Sequence, residues 1–291
     1  MIIDAHAHLW LKQNGMVCGR PVFPVGGGKS NFGGEIRQMV PPYMADGENT
    51  FDRLIANMDY AGVGGAVITQ EEIDGNQDSY LLKAKKLYPE RLKICSLYQE
   101  TKPVSVKGFD GIKICAGRLR EQDLLRHEHI FSIALRLNKF ISVDLAEGAA
   151  QTAALAEIIR KYPGLKIAIG HFGMVIKKDW LEQIKLARCE NVFIESGGIT
   201  WLFNSEFYPY PSAVRAIKEA AEICGIEKLM WGSDYPRTMV EITYKMSFDF
   251  ILKSKELTNA EKNKFLFENA AAFYGFSALT PTDKIKNMLE D

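Results

Sequence analysis

The 291-residue sequence lacks a long apolar run, an excess of one charge and a recognisable export signal, and each absence excludes a class of protein. No stretch approaches the roughly 18 unbroken apolar residues that a membrane span requires. Lysine plus arginine equals aspartate plus glutamate at 36 each, so no global field attracts nucleic acid or an anionic membrane. The first residues lack the basic and apolar regions of a signal peptide. We therefore expect a cytoplasmic protein whose partner is a small molecule, with neither nucleic acid nor a membrane as partner.

Cysteine is scarce, and its spacing excludes a disulfide framework or a CxxC metal site. The sequence has five cysteines, an odd number, and no CxxC pair. Since several of them lie in or beside apolar runs, we expect free, buried thiols in a reducing compartment. The five are Cys18, Cys95, Cys115, Cys189 and Cys224.

A phosphate-binding loop is also missing, although the stretch VGGGKS looks like one. In the register GxxxxGK[ST], Phe23 occupies the position of the first glycine. The stretch belongs to residues 11–49, a segment dense in glycine and proline that is too long for an ordinary connection between strand and helix. We interpret residues 11–49 as a lid-like insertion or pocket wall.

What the sequence does contain is a repeated alternation of short apolar runs with amphipathic segments. The runs are rich in valine and isoleucine without strict alternation, as expected of parallel strands that are buried on both faces. Eight alternations predict a (β/α)₈ TIM barrel in a single domain over residues 1–276, with a doubly wound open sheet as the structural alternative. A polar helical tail is predicted for Ser277–Asp291. The predicted strands are Ile2–His6, Gly65–Gln70, Leu92–Leu97, Gly111–Cys115, Phe140–Leu145, Lys166–His171, Asn191–Ser196 and Lys228–Ser233.

Chemistry-bearing side chains follow several predicted strands, at the end of the barrel where active sites are built. The first strand leads to His6 and His8, which point the same way because residues alternate along a strand. The sixth strand leads to His171 and the eighth to Asp234. Such groups can converge on one metal ion or on one substrate. Further candidates for substrate binding are Lys113, Arg118, Asp144, Glu195 and Trp201, with Glu147 as an additional carboxylate near the pocket.

Several of these candidates have more than one interpretation. Glu195 and Glu147 can each belong to the pocket or to the scaffold of the barrel. Lys113 can be a carboxylated lysine that bridges two metals, a cation that binds substrate, or the ion-pair partner of Asp144 or Glu195. Trp201 begins an aromatic run that can wall a pocket or form the contact of a homodimer.

The motifs IDAHAHLW, IGHFG and WGSDYP, in this order, resemble the amidohydrolase superfamily in its amidohydrolase-2 branch. The resemblance extends over nearly the whole chain, from Met1 to Phe276. The branch includes decarboxylases, pyrone dicarboxylate hydrolases and sugar-acid lactonases. The resemblance implies a TIM barrel with a metal-assisted or carboxylate-assisted site.

Carried over by position, the resemblance gives each strand-end residue a role. His6 and His8 match the metal-binding pair, and His171 matches a histidine that binds metal or polarises the substrate. Asp234 matches an aspartate that activates water and often contacts the metal. Asp144 lies where the decarboxylating members carry a histidine, which favours the lactonase side of the branch.

These observations predict a metal-assisted hydrolase that cleaves a small organic-acid ester or lactone with activated water. Asp234 would act as general base, while His171 polarises the carbonyl and Lys113 or Arg118 binds an acidic group. One divalent metal is expected, zinc first, with manganese, iron or cobalt also suited to these ligands and a metal-free route left open. The alternatives are a metal-dependent decarboxylase of an aromatic or unsaturated acid, and a catalytically silent barrel that binds a ligand.

Overall fold

The structure is a computed structural model that describes residues 1–146, 148–281, 283 and 285–289; Glu147 and four residues of the tail lie outside it. Its strands alternate with helices along most of the chain. The strands are β1 (Ile3–Ala7), β2 (Met16–Val17), β3 (Arg20–Gly26), β4 (Lys29–Phe32), β5 (Glu35–Gln38), β6 (Gly65–Ile68), β7 (Leu92–Leu97), β8 (Gly111–Cys115), β9 (Phe140–Asp144), β10 (Ile167–Ile169), β11 (Val192–Glu195) and β12 (Leu229–Met230).

Eight of these strands form one parallel sheet that closes into a barrel. The order is β1-β6-β7-β8-β9-β10-β11-β12, so strands that follow one another around the barrel also follow one another in the chain. The last strand returns to the first where the Ala5 N–H donates to the Trp231 carbonyl at 2.9 Å and Ala7 bridges to Tyr235. The predicted single-domain TIM barrel is confirmed, and the open sheet is excluded by this closure.

Helices on the outside of the barrel cover the sheet. The first of them shows the predicted local signals: the Thr50 side chain accepts a hydrogen bond from the Arg53 N–H, and Gly62 ends the helix at a left-handed φ of 76°. No helix among the described residues is both long enough and apolar enough to span a membrane. The helices are α1 (Phe51–Ala61), α2 (Asp78–Leu87), α3 (Glu128–Arg136), α4 (Thr152–Lys161), α5 (Leu181–Leu186), α6 (Ile199–Leu202), α7 (Pro211–Cys224), α8 (Met246–Lys253), α9 (Asn259–Asn263) and α10 (Asn269–Tyr274).

The interior of the barrel contains polar side chains as well as the apolar core. Every residue of β1, β8 and β9 is buried, because helices cover one face of the sheet and the barrel interior covers the other. His6, Lys113 and Asp144 therefore lie inside the protein, where ionisable groups must find partners. All five cysteines are free, and three of them are buried.

The insertion at residues 11–49 contains secondary structure that the sequence did not predict. Strands β2, β3, β4 and β5 form a separate antiparallel sheet in that order. Its turns use glycines at left-handed φ, such as Gly27 at 60° and Gly33 at 68°. The sheet contributes Phe32 and Arg37 to the wall of the central cavity.

The chain after α10 differs from the predicted helical tail. Gly275 ends α10, and the described residues of Ser277–Asp291 form no helix. Pro281 has no N–H and disfavours helical backbone in the residue before it. Most side chains of the described tail are exposed, and Leu279 alone among them packs against an apolar cluster of the barrel, so little packing compensates for this effect.

Candidate active site

A cavity of about 630 Å³ opens at the carboxyl ends of the barrel strands, a size typical of small-molecule sites. Its wall is built by the loops that follow the strands and by the insertion. Five of the predicted site residues line it, namely Arg118, Asp144, His171, Trp201 and Asp234.

The two histidines of the first motif are buried behind the cavity wall, where they meet Asp234, a residue that does line the cavity. The Nε2 atoms of His6, in β1, and His8, directly after it, lie 3.1 Å apart, since side chains two residues apart in extended backbone point to the same side. The Nε2 atom of His8 lies 2.9 Å from Asp234 Oδ1, and that of His6 lies 3.9 Å from the same oxygen. The Asp234 N–H donates to the His6 carbonyl at 2.8 Å and holds Asp234 at a left-handed φ of 59°. The three potential ligand atoms lie within 4.8 Å of one another.

Glu195 fixes the orientation of His6. Its Oε1 lies 2.6 Å from His6 Nδ1, and its Oε2 accepts the Gly197 N–H at 2.6 Å. A carboxylate at Nδ1 keeps the proton on that nitrogen and leaves the Nε2 lone pair free. A side chain at Gly197 or Gly232 would collide with His6 and Glu195, so the glycines permit this arrangement. Glu195 is 1% exposed and does not reach the cavity wall. The sequence predicted that it binds substrate, whereas its position favours a role in holding His6.

The protonation of His8 and Asp234 suits metal binding. Burial and the nearby Arg237 lower the pKa of His8 to about 4, so its imidazole is neutral at neutral pH. Burial alone would raise the pKa of Asp234, but the hydrogen bond from His8 and the charge of Arg237 hold it well below its usual range. A metal ligand must have a free lone pair. Ionised Asp234 meets that condition, and neutral His8 would meet it with its proton on Nδ1 instead of on the Nε2 that faces Asp234.

His171 lies beside both Asp144 and His6, and the centres of the His6 and His171 rings are 4.8 Å apart. Its Nδ1 lies 2.9 Å from the Gly197 carbonyl and its Nε2 lies 3.5 Å from Asp144 Oδ2. Although burial lowers the pKa of His171, the Asp144 charge raises it to about 10. By distance His171 could still be a ligand, since its ring, His6 and Asp144 offer ligand atoms within 4.8 Å of one another. A protonated imidazole has no lone pair for a metal, so the raised pKa favours the polarising role of His171.

Lys113 is the ion-pair partner of Asp144. Its side chain is 0% exposed, and Nζ lies 2.6 Å from Asp144 Oδ2. Burial lowers the pKa of Lys113, but the Asp144 carboxylate outweighs burial and keeps the ammonium charged. Of the alternatives open from the sequence, the structure favours the ion pair over substrate binding or carboxylation, since Lys113 does not reach the cavity wall.

Trp201 and Arg118 lie at the cavity wall as predicted. Trp201 is in α6 and donates from Nε1 to Asp234 Oδ2 at 2.7 Å. Gly198, at a left-handed φ of 69°, leaves the space that this indole needs. Arg118 donates from Nε to Glu71 Oε2 at 3.3 Å. Both side chains can therefore contact a ligand.

Sequence reasoning missed several residues of the cavity wall, among them the charged residues Glu71 and Arg237. Arg237 follows Asp234 by three residues and closes the stretch WGSDYPR, so the motif itself was a usable signal. Glu71 comes shortly after β6, where a strand-end carboxylate could also have been noticed.

The donor set of His6, His8 and Asp234 fits one divalent metal ion. Two neutral imidazole nitrogens and a carboxylate oxygen are the ligand types of catalytic zinc sites, which leave one position open. Two nitrogens that bind one tetrahedral zinc at about 2.0–2.1 Å lie roughly 3.3 Å apart, close to the separation seen here. The carboxylate on His6 Nδ1 completes the arrangement, since ligating histidines usually carry such a partner.

Replacing Glu195 with glutamine tests this arrangement directly. The amide can accept from His6 Nδ1 or from the Gly197 N–H, but its NH₂ group must then face the other donor. We expect zinc affinity to fall about 10- to 100-fold, measured by competition with a chromophoric chelator. The exposed Glu219 on α7 supplies a matched control, Glu219→Gln. Unchanged zinc affinity in Glu195→Gln would contradict the assignment of His6 as a ligand.

Comparison with solved structures finds the same fold in several bacterial proteins. A probable 2-pyrone-4,6-dicarboxylic acid hydrolase from Acinetobacter baumannii, with citric acid bound, is 20% identical, with a TM-score of 0.68 over 94% of this chain and 99% of that chain. A Burkholderia multivorans amidohydrolase with bound zinc is 14% identical, with a TM-score of 0.68 and the same coverages. The manganese complex of 5-carboxyvanillate decarboxylase from Novosphingobium aromaticivorans is 17% identical, with a TM-score of 0.56 over 77% of this chain and 79% of that chain.

Sequence comparison defines the family. No curated protein matches the chain. The amidohydrolase family model matches residues 3–276, which contain the whole barrel and all the site residues described above. The chain is an enzyme of the amidohydrolase superfamily and belongs to the amidohydrolase family.

Proposed function

We propose that the protein is a metal-assisted hydrolase that cleaves the C–O bond of a small organic-acid ester or lactone with activated water. The observation that carries this proposal is the position of Asp234. One of its oxygens faces His8 in the ligand cluster, and the residue also lines the cavity. A substrate in the cavity can therefore reach the ligand cluster.

The proposed metal is held by His6, His8 and Asp234, with zinc favoured and manganese, iron or cobalt also suited. When bound there, it supplies Lewis acidity and makes water more acidic. The zinc and manganese in structures of the same fold support a metal in this protein.

Two side chains of the protein then have defined tasks. Asp234 is ionised and takes the proton of the attacking water, while the Trp201 indole N–H fixes the second carboxylate oxygen. His171 is protonated and donates to the carbonyl oxygen as negative charge develops there. The citric acid bound to the Acinetobacter protein supports a small organic acid as the ligand class.

The alternative proposal is a decarboxylase, supported by the fold of the 5-carboxyvanillate enzyme. Asp144 argues against it, because this carboxylate is paired with Lys113 where the decarboxylating members carry a histidine. A homodimer and a cytoplasmic location remain predictions from the sequence.

A panel of lactones and esters tests the proposal through proton release, with aromatic acids tested in parallel through release of CO₂. We expect hydrolysis of at least one lactone, a loss of about 100-fold or more after removal of the metal by a chelator, and recovery on addition of zinc. Release of CO₂ from aromatic acids while lactones stay intact would support the decarboxylase instead. Lactone hydrolysis that survives chelation would indicate the metal-free route.

A further inference from the structure

Arg237 has an unusual position in the cavity wall. Its Nη2 donates to Asp74 Oδ2 at 2.6 Å, so one side of the guanidinium is held firmly. Its Nη1 is buried and has no hydrogen-bond partner among the described residues. Asp234 Oδ1 lies 3.8 Å from Nη1, within ion-pair distance but beyond hydrogen-bond distance. The charge of Arg237 is paired with Asp74 and Asp234, but a buried N–H without a hydrogen-bond acceptor is costly. Because Arg237 lines the cavity, this N–H is suited to an acceptor on a bound ligand.

A chain of buried hydrogen bonds holds Arg237 in this position. Asp74 Oδ1 accepts from Gln13 Nε2 at 2.9 Å, and Gln13 Oε1 accepts from the Ser30 hydroxyl at 2.5 Å. Ser30 belongs to β4, so this series of hydrogen bonds connects the insertion to the cavity. The Arg237 guanidinium also lies 5.6 Å from the centre of the Trp10 ring. The direction of Nη1 is therefore fixed before any ligand binds.

The charges of the cavity indicate which ligand Nη1 would accept. The ligand must offer an acceptor because the guanidinium has only donors, and its permanent positive charge favours an anion over a neutral acceptor. Asp234 and Glu71 line the same cavity and would repel a dianion such as phosphate more strongly than a monoanion. A carboxylate carries one charge and matches the donors of arginine.

We infer that Arg237 binds a free carboxylate of the substrate, an inference that rests on the hydrolase function proposed above. The substrate is then a lactone or ester with a carboxylate near the bond that is cleaved, because Nη1 lies only 3.8 Å from the oxygen of Asp234. Asp74, Gln13 and Ser30 are positioning residues, since they act through Arg237.

The first test measures binding without turnover. Cyclopentanecarboxylate and cyclopentanecarboxamide have nearly the same shape and cannot be hydrolysed as lactones, so calorimetric titration of the protein with both isolates the carboxylate. We expect the wild type to prefer the carboxylate and Arg237→Gln to bind it about 10- to 100-fold more weakly. The amide should be little affected. Arg237→Lys keeps the positive charge but loses the planar guanidinium, and its affinity for the carboxylate should fall by an intermediate amount.

The exposed Arg136 at the end of α3 gives the matched control Arg136→Gln, which should bind as the wild type does. Thermal unfolding of each variant checks that it is folded. A wild type without preference for the carboxylate, or a preference that persists in folded Arg237→Gln, would overturn the inference. Inorganic phosphate that competes as strongly as the carboxylate would overturn the choice of ligand class.

The second test uses turnover and separates this inference from the proposed function. The two substrates are a γ-lactone with a carboxylate on its ring and the same lactone in which that carboxylate is a methyl ester. Asp74→Asn should raise KM for the free acid and leave KM for the methyl ester unchanged, whereas a purely structural defect would impair both. If neither compound is hydrolysed, the lactone proposal loses its support, and the binding test still decides the role of Arg237.

Discussion

Asp234→Asn is expected to lower kcat for lactone hydrolysis by about 10³-fold. The wild-type carboxylate is ionised at neutral pH and lies within hydrogen-bond distance of His8 Nε2 and the Trp201 indole nitrogen. Asparagine cannot take the proton of the attacking water. Its amide NH₂ would also face one of these two nitrogens, so the position of the side chain changes as well. The measurement is kcat from proton release under saturating substrate.

The zinc content of the same variant shows whether kcat falls because the general base is lost or because the metal is lost. If zinc content measured by atomic spectroscopy stays at the wild-type level while kcat falls, the loss belongs to proton transfer. If zinc and activity disappear together, the ligand role dominates. The exposed Asp52 at the start of α1 provides the control Asp52→Asn, which should retain wild-type kcat. A folded Asp234→Asn with wild-type kcat would refute the assignment of Asp234.

The barrel could be predicted from the sequence because its strands are buried on both faces. Such strands appear as short apolar runs, and each of the eight predicted runs overlaps one observed barrel strand. The predicted ends of the strands were less accurate. The sixth strand was predicted to reach His171 but ends at Ile169, since the backbone turns left-handed at His171.

The sheet of the insertion could not be predicted in the same way. Every residue of β5 is exposed, and β3 buries only Val22 fully. Strands without a buried face carry no apolar periodicity, so their pairing depends on turns and on contacts with the barrel. The sequence indicated an insertion here but not its architecture.

The site was predicted where a motif marks the end of a strand. His6, His8, His171 and Asp234 were expected to converge. The structure brings His6, His8 and Asp234 together and places the His171 ring 4.8 Å from that of His6. The pairing of the remaining charges could not be deduced, because Lys113 and Glu195 were equally compatible with the cavity and with the barrel interior. Only the packing of neighbouring strands decides this question, and it places both side chains inside the barrel.

Lys113→Met is expected to lower the free energy of unfolding by about 3–5 kcal/mol. Methionine fills a similar volume but leaves the Asp144 carboxylate buried without the ammonium that lies 2.6 Å away. His171, at 3.5 Å, is then its remaining cationic neighbour. The measurement is urea denaturation, with the change read from the midpoint at constant m-value.

A double variant tests whether the loss comes from the unpaired charge. Lys113→Met combined with Asp144→Asn removes both charges and should recover part of the lost stability, giving a clear interaction energy in a double-mutant cycle. Lys218→Met is the matched control, because Lys218 and Glu256 form an exposed ion pair at 3.7 Å whose loss should have a much smaller effect. Lys113→Met with wild-type stability and a raised KM would instead restore the interpretation of Lys113 as a substrate-binding cation.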